Sequence, residues 1–196
     1  MILVKPCILD EYRAGNIIFT GDINKAINPN SINVTIGNYL ETYEPFEVVE
    51  TDKGSRVYPV LDRGDTVLDC AKKNETYKLE IPEEGLILAP ELFYLGFTVE
   101  CGGSSKFVPM YEGRSSLARL GLISHFSAGF GDVGFDKQWT LEIATKLPLK
   151  IYPGMEIGQI YFVKGSIDDM PEEMKYKGKY SAQKGVQSSK LYEDFK

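Results

Sequence analysis

The sequence predicts a mainly β domain with a few short helices. Aromatic residues and turn formers are both plentiful, with 12 Tyr, 10 Phe, 19 Gly and 10 Pro among 196 residues, and these types favour strands and turns over long helices. Gly, Pro, Asn or Asp separates most of the short apolar runs, which is the spacing of a sandwich or barrel. Segment 31–37 also alternates apolar with polar residues, as a half-buried strand does.

The chain is predicted to begin with a short helix followed by strands. In the helix, residues 7–15, three apolar side chains share a face and Gly15 is a suitable C-terminal stop. A brief strand follows at 17–19, and strand 31–37 comes after a polar loop. The remaining predicted strands are 45–50, 66–69, 77–80, 85–88, 92–100, 106–110, 122–128, 138–144, 147–151 and 157–163.

Two further segments complete the predicted organisation. Residues 115–121 indicate a short helix with Ser115 as N-cap, on which Ser115 and Arg119 share a face at i and i+4. Residues 165–185 are polar and weakly periodic, so we expect a loop there. We expect the whole C-terminal segment, 165–196, to be flexible and to close over a site when ligand binds.

Composition narrows the class of protein. The length and the 43% hydrophobic content fit one domain, residues 1–196. The net charge of -6, without a Lys/Arg block, argues against a nucleic-acid partner. Cys7, Cys70 and Cys101 lie far apart, which favours a reduced cytoplasmic protein over a disulfide framework. The sequence shows neither a signal peptide nor an apolar run long enough to span a membrane.

A zinc deaminase site is not expected. Such a site needs a His or Cys followed by x-Glu, together with a P-C-x-x-C pair, whereas this sequence has one histidine and no paired cysteines. That histidine, His125, alternates with apolar residues, which favours a packed or hydrogen-bonded strand residue over a metal ligand. Carboxylates remain candidates for holding magnesium on a phosphate.

Glu142 is the first candidate for catalysis. In strand register, Trp139, Leu141 and Ile143 point to one side, and Thr140 and Glu142 point to the other. A carboxylate beside small residues in an otherwise apolar strand suggests a lined cavity, where desolvation raises a glutamate pKa and lets it carry protons near neutrality. The same pattern fits an exposed glutamate on the solvent face of a sheet, and periodicity alone favours that interpretation.

Two polar clusters are further candidates. Asp132 lies among glycines in a tight turn, where an aspartate serves structure as readily as function. Arg114, Ser115, Ser116 and Arg119 combine hydroxyls, guanidinium groups and the N–H groups of a helix start, which suit a phosphate. The alternative is a capped helix with surface arginines.

Taken together, these stretches resemble the dCTP deaminases. The matching segments follow in the family's order: 28–37 (NPNSINVTIG), 112–122 (EGRSSLARLGL), 128–135 (AGFGDVGF), 139–142 (WTLE), 153–159 (PGMEIGQ) and 176–183 (YKGKYSAQ). They cover most of the chain, and segment 112–122 is the most specific of them. The resemblance favours a functional role for Glu142.

The resemblance implies a distorted jelly-roll, the β-clip fold of dUTPase-like proteins, assembled as a homotrimer with active sites between subunits. It implies Glu142 as general base and acid: the carboxylate takes a proton from water, which attacks C4 of the cytosine, and delivers protons to N3 and the leaving amine. Ser115 and Arg119 are implied to position that water and to support the tetrahedral centre.

The resemblance also implies the groups that bind dCTP or dUTP. Asp132 is implied to contact the deoxyribose, and Thr140, Leu141 and Glu142 to meet the edge of the base. The triphosphate is implied to carry Mg²⁺, with no zinc, and to be held by the turn after β-strand 106–110 and by the tail. The implied phosphate-side residues are Arg114, Ser115, Ser116, Leu117, Ala118, Arg119, Gln159, Tyr176, Lys179 and Gln183.

The resemblance also bears on where the reaction ends. Family members that stop at dUTP and ammonia tend to have His-Arg before an Ile-Asp pair, whereas bifunctional members, which continue to dUMP and diphosphate, have Ala-Gly-Phe or Ala-Gly-Trp. Gly129 and Phe130 resemble the bifunctional type. The chain departs from the family at Gly131, where Ile is usual, and at Asn33, where Asp is usual.

Two other functions stand as alternatives. A monofunctional dUTPase would share the fold, the Ser-Ser turn and Asp132, but that branch normally ends in Phe-Gly-Ser-Thr-Gly, whereas this tail reads KYSAQKGVQ. A non-catalytic nucleotide-binding regulator would have no need of a general base such as Glu142.

Overall fold

The chain folds into three β-sheets with a few short helices, which confirms the predicted mainly β class. The computed structural model describes residues 1–60 and 66–195. Within them the α-helices are α1 (Lys5–Arg13), α2 (Ile23–Ala26) and α3 (Ser115–Ala118), and two 3₁₀ helices lie in the tail at Glu172–Met174 and Leu191–Phe195. The strands are β1 (Ile17–Phe19), β2 (Ile32–Thr35), β3 (Tyr39–Thr42), β4 (Phe46–Thr51), β5 (Gly54–Pro59), β6 (Tyr77–Glu80), β7 (Leu86–Leu88), β8 (Tyr94–Ser104), β9 (Val108–Gly113), β10 (Leu122–Ile123), β11 (Gln138–Thr145), β12 (Leu149–Ile151) and β13 (Glu156–Val163).

The sheets enclose one main core. The largest has the strand order β10-β11-β8-β3-β6, with β1 also paired to β8, and the others run β12-β7-β5-β4 and β2-β13-β9. Buried side chains from all three sheets, among them Tyr94, Leu88 and Phe162, form a single hydrophobic cluster. In residues 1–60 and 66–195, no helix has the length and hydropathy needed to cross a membrane.

The alternation predicted for β11 is confirmed. Trp139, Leu141 and Ile143 are buried, whereas Thr140 and Glu142 are half-buried on the opposite face. The alternation arises because successive side chains of a strand point to opposite faces of its sheet. This register directs Glu142 away from the core.

Two predicted strands are wrong, in full or in part. Residues 66–69 form no strand, because the Asp69 amide donates to the side chain of Asn74 and the Asp69 carboxylate caps Ala71, as in an Asx turn. Strand 122–128 ends at Ile123, and the chain beyond it leaves the sheet.

Several elements differ from or add to the predictions. Helix α1 begins at Lys5, with a proline in its first turn, and ends before Gly15, whose φ is 78°. Helix α2 and strands β3 and β5 were not predicted. Strand β5 pairs with β4 across a two-residue turn, and its alternation is carried by Ser55 and Val57, which are buried.

Candidate active site

A cavity of about 640 Å³ lies between strand β11 and the C-terminal segment. Its walls come from β8, β11, the loop that precedes β11 and the tail. The lining contains glycine, aromatic and polar residues, which suits a ligand with both apolar and polar parts. The predicted site residues that line it are Phe130, Asp132, Thr140, Glu142, Tyr176, Lys179 and Gln183.

Glu142 is held by the backbone of the segment that leaves the sheet after β10. The Phe126 N–H donates to Oε2 of Glu142 at 2.8 Å. Because Phe126 lies outside the strands, between β10 and β11, its amide is available to the carboxylate. A charge-assisted bond of this kind fixes the orientation of the carboxylate in the cavity wall.

Thr140 lies on the same face of β11 as Glu142 and connects the strand to the tail. Its Oγ1 accepts from Nε2 of Gln183 at 2.7 Å and from the Gln187 amide at 3.2 Å. Gln183 also donates to the carbonyl of Gln138 at 2.8 Å. The tail thus lies across the same strand that carries Glu142. Leu141, by contrast, is 1% exposed and its side chain faces the core.

The loop before β11 places Asp132 and Phe130 in the cavity wall. Residues 129–131 run against β9: the Tyr111 amide donates to the Gly129 carbonyl at 2.7 Å, and the Gly131 amide donates to the Pro109 carbonyl at 2.9 Å. A β-carbon added at Gly129 would lie 2.5 Å from the Tyr111 carbonyl oxygen. The close approach of the two backbones therefore requires glycine there.

Tyr176 and Lys179 line the cavity from the tail. The Tyr176 amide donates to the Val133 carbonyl at 2.9 Å, which attaches the tail to the Asp132 loop. The Tyr176 hydroxyl accepts from the Tyr180 amide at 3.1 Å. Lys179 forms an ion pair with Asp194. Whether the tail moves when ligand binds stays a prediction.

The segment from Arg114 to Arg119 is not part of the cavity lining within one chain. Ser115, Ser116 and Arg119 are exposed, together with Ala118, while Leu117 packs on the core. The predicted N-cap at Ser115 is wrong, since Arg114 occupies that position with extended backbone. The structure therefore separates the sequence-predicted site into two half-sites, the cavity and this turn.

Gln159 and His125 lie beside the turn. Gln159 accepts from the Ser31 hydroxyl at 2.6 Å and donates to the Gly113 carbonyl at 3.2 Å. His125 is not in a strand, but its Nε2 lies 3.2 Å from Oε1 of Glu112 and its ring packs edge-on to Tyr111. The prediction that His125 is packed or hydrogen-bonded is confirmed, whereas its predicted place in a strand is wrong.

Comparison with known protein families shows which family this chain belongs to. A family described as dCTP deaminase-like matches residues 2–165 of the chain. The chain belongs to the dCTP deaminase-like family. The matched range includes Glu142, Asp132 and the turn, and ends before the tail residues of the cavity.

Other dCTP deaminase-like proteins match along most of their length. "dCTP deaminase, dUMP-forming" from Clostridium acetobutylicum is 46% identical over 174 residues, covering 87% of this chain and 86% of that relative. The protein of the same name from Clostridium beijerinckii is 43% identical over 182 residues, with 92% and 91% covered. The chain therefore spans most of both relatives.

A solved structure supports the fold of this dCTP deaminase-like chain. The crystal structure of 2'-deoxycytidine 5'-triphosphate deaminase from Agrobacterium tumefaciens superposes with a TM-score of 0.58 at 17% identity, covering 84% of this chain. This chain spans about half, 48%, of that protein. The likeness places the three curled sheets in the fold of the deaminases.

Several cavity residues of the dCTP deaminase-like chain were not predicted from the sequence. Those outside every segment that resembles the family are Tyr43, Phe93, Leu95, Gln187 and Ser189. Burial raises the pKa of the Tyr43 phenol, whose oxygen accepts from the Ser189 amide at 3.1 Å. No motif distinguishes these residues, since they meet only because the tail folds back over β3 and β8.

Proposed function

We propose that this chain hydrolyses the exocyclic amine of dCTP, with Glu142 as general base and acid, and continues to dUMP and diphosphate. The observation that carries the proposal is the Glu142 carboxylate, held by the Phe126 amide in the wall of a 640 Å³ cavity. A general base must be fixed within reach of the group it deprotonates. The names of the Clostridium relatives support both dCTP as substrate and dUMP as product.

The proposed deamination consumes one water molecule for each amine released. Oε2 of Glu142 accepts from the Phe126 amide, which leaves Oε1 free to take a proton from water. The oxygen of that water bonds to C4 of the cytosine. Glu142 gives that proton to N3, then takes the proton of the new C4 hydroxyl and gives it to the amine. The C4–N bond breaks, ammonia leaves, and C4 keeps a carbonyl oxygen. In the second step, water attacks the α-phosphorus and diphosphate leaves.

The surrounding groups position the substrate. Thr140 lies beside Glu142 for the edge of the base, and the Leu141 side chain points into the core, so only its backbone is placed for such a contact. Asp132 is placed for the deoxyribose. Ser115 and Arg119 orient the water and the tetrahedral centre, and Gly129 with Phe130 favours the dUMP-forming course.

Magnesium would enter with the triphosphate. Among residues 1–60 and 66–195, no group of three or more His, Cys, Asp or Glu side chains is placed to hold a metal ion, so the phosphate oxygens would supply most ligands. Bound there, the ion neutralises phosphate charge. Lys179 and Gln183 contact the same phosphates from the tail.

We further propose a homotrimer in the reducing cytoplasm. The site is incomplete within one chain, since the cavity holds Glu142 whereas Ser115 and Arg119 are exposed outside its lining. A neighbouring subunit would bring its turn to this cavity. Cys7, Cys70 and Cys101 are free thiols, which fits the cytoplasm.

The test is incubation of the protein with dCTP and magnesium, with products separated by chromatography. We expect ammonia, dUMP and diphosphate. Glu142→Gln should lower the rate by about 10²–10⁴-fold, the usual contribution of a general base, while dCTP binding persists. The exposed Glu84→Gln is the matched control. Cleavage of dUTP without turnover of dCTP would instead make the chain a dUTPase.

A further inference from the structure

A series of hydrogen-bonded polar side chains connects strand β2 with the phosphate-side turn. Nδ2 of Asn28 donates to Oδ1 of Asn33 at 2.6 Å, and Nδ2 of Asn33 donates to Oε1 of Glu156 at 3.0 Å. The other oxygen of Glu156, Oε2, accepts from Nη1 of Arg114. Four side chains therefore connect β2 to the first residue of the turn through β13.

The backbone of the same turn is held in parallel. Gln159 bridges the Ser31 hydroxyl and the Gly113 carbonyl, and Gly158 of β13 pairs with Gly113 of β9. Ser31 is 6% exposed and Asn33 is 9% exposed, so both anchors lie in the protein interior. Buried, satisfied hydrogen bonds are rigid, so the interior end of the network holds Glu156 and Arg114, whose side chains are 42% and 33% exposed.

We infer that Glu156 is a positioning residue that orients the Arg114 guanidinium toward the substrate phosphates, with Asn33 holding Glu156 from behind. The inference rests on the proposed function, in which Arg114 binds the phosphates. Arginine has five N–H donors in a fixed fork, so a carboxylate can hold one nitrogen while other donors face the ligand. Orientation before binding reduces the entropy lost by a long side chain.

Asn33 fits this role better than an aspartate would. An aspartate at position 33 would set a second carboxylate against Oε1 of Glu156, whereas the amide donates to it. Asn33 thus keeps the Glu156 carboxylate beside Arg114.

The alternative role for Glu156 is competition with the substrate phosphates for Arg114. Its negative charge lies next to an arginine that binds an anion, so its removal could strengthen phosphate binding. The two roles differ in the sign of one measurement, the KM for dCTP. We expect Glu156→Ala to raise KM about tenfold, because an unoriented arginine must be ordered at binding, with little change in kcat. Glu156→Gln keeps an oxygen that accepts from Arg114 and should fall between Glu156→Ala and the native protein.

A double-mutant cycle isolates the contact. In an Arg114→Ala background, Glu156→Ala should change KM by less than about twofold, since the group it orients is gone. Glu84→Ala removes the same charge from an exposed loop and is the matched control. A KM that falls or stays the same in Glu156→Ala, or an equal rise in both backgrounds, would overturn the inference.

Binding measurements distinguish a failure of this inference from a failure of the proposed function. In a Glu142→Gln background, titration calorimetry with dCTP and with deoxycytidine should show that Glu156→Ala weakens binding of dCTP and leaves deoxycytidine unaffected. Equal weakening of both ligands would mean a general structural role and would overturn the inference. If the native protein does not turn over dCTP, the proposed function fails; if it does and the KM is unmoved, only the role of Glu156 fails.

Discussion

Gly131 lacks a side chain because the Trp139 ring occupies the adjoining space. A β-carbon added there would lie 2.6 Å from Cη2 of Trp139 and 2.9 Å from the Pro109 carbonyl oxygen. The indole is itself held, since its N–H donates to the Gly102 carbonyl at 2.8 Å. A larger residue at position 131 would therefore have to displace either the indole or the Pro109 backbone.

Gly131→Ala should lower the free energy of unfolding by about 1–3 kcal/mol, as overpacking does. Urea unfolding measures the change. Gly165→Ala is the matched control, because the nearest atom to its added β-carbon is the Ile167 carbonyl oxygen at 3.9 Å. In a Trp139→Phe background the cost of Gly131→Ala should shrink. An undiminished cost would show that the Pro109 backbone, not the indole, sets the limit.

Single residues could be predicted where a local pattern decides them. Alternation put Glu142 on the face opposite Trp139 and Leu141, and the structure confirms this arrangement. The Phe126 amide that holds Glu142 could not be predicted, since segment 122–128 mixes apolar and polar residues as a half-buried strand does and only tertiary context ends the strand at Ile123.

At the scale of elements, the C-terminal segment docks through one apolar side chain and several amides. Val186 is 6% exposed and packs with Leu95 and Phe97. Its amide donates to the Tyr39 hydroxyl at 3.3 Å. This docking holds Gln183 against Thr140 and so completes the cavity wall.

Val186→Ala should loosen the tail selectively. Loss of two buried carbon groups removes about 1.6 kcal/mol at about 0.8 kcal/mol each, which favours local opening. Amide exchange should become faster in residues 183–189 and stay unchanged in β11, and KM for dCTP should rise. Val67→Ala is the matched control, because Val67 is 84% exposed. Uniformly faster exchange would instead indicate global destabilisation.

Elements were predictable where hydrophobic period and turn residues agreed, as in β2, β11 and β13. The tail carries no such period, and its contacts pair residues such as Val186 and Tyr39 that are far apart in sequence. Strand β3 was missed for a related reason: its apolar face is formed by Leu40 and by Thr42, which is polar yet buried. Burial of polar groups depends on partners that a sequence does not display.

At the scale of the whole molecule, the separation of the cavity from the turn at 114–119 supports the proposed association of subunits. Leu120, Phe126 and Phe130 are 54%, 55% and 65% exposed, and they lie in the turn, beside Glu142 and in the cavity wall. Exposed apolar side chains at a functional site are typical of an interface. A cyclic assembly would cover them while it brings the turn of one subunit to the cavity of the next.

Subunit complementation tests this arrangement directly. Glu142→Gln chains retain the turn and Arg119→Ala chains retain the cavity, so each alone should be inactive. When the two are co-expressed with different tags and the mixed assembly is purified, a site between subunits should restore about one third of native activity, because every mixed cyclic trimer has one intact cavity that meets an intact turn. Light scattering gives the mass of the assembly. A mixed assembly of trimer mass that remains inactive would place both half-sites within one chain, whereas monomers with full native activity would exclude an intersubunit site altogether.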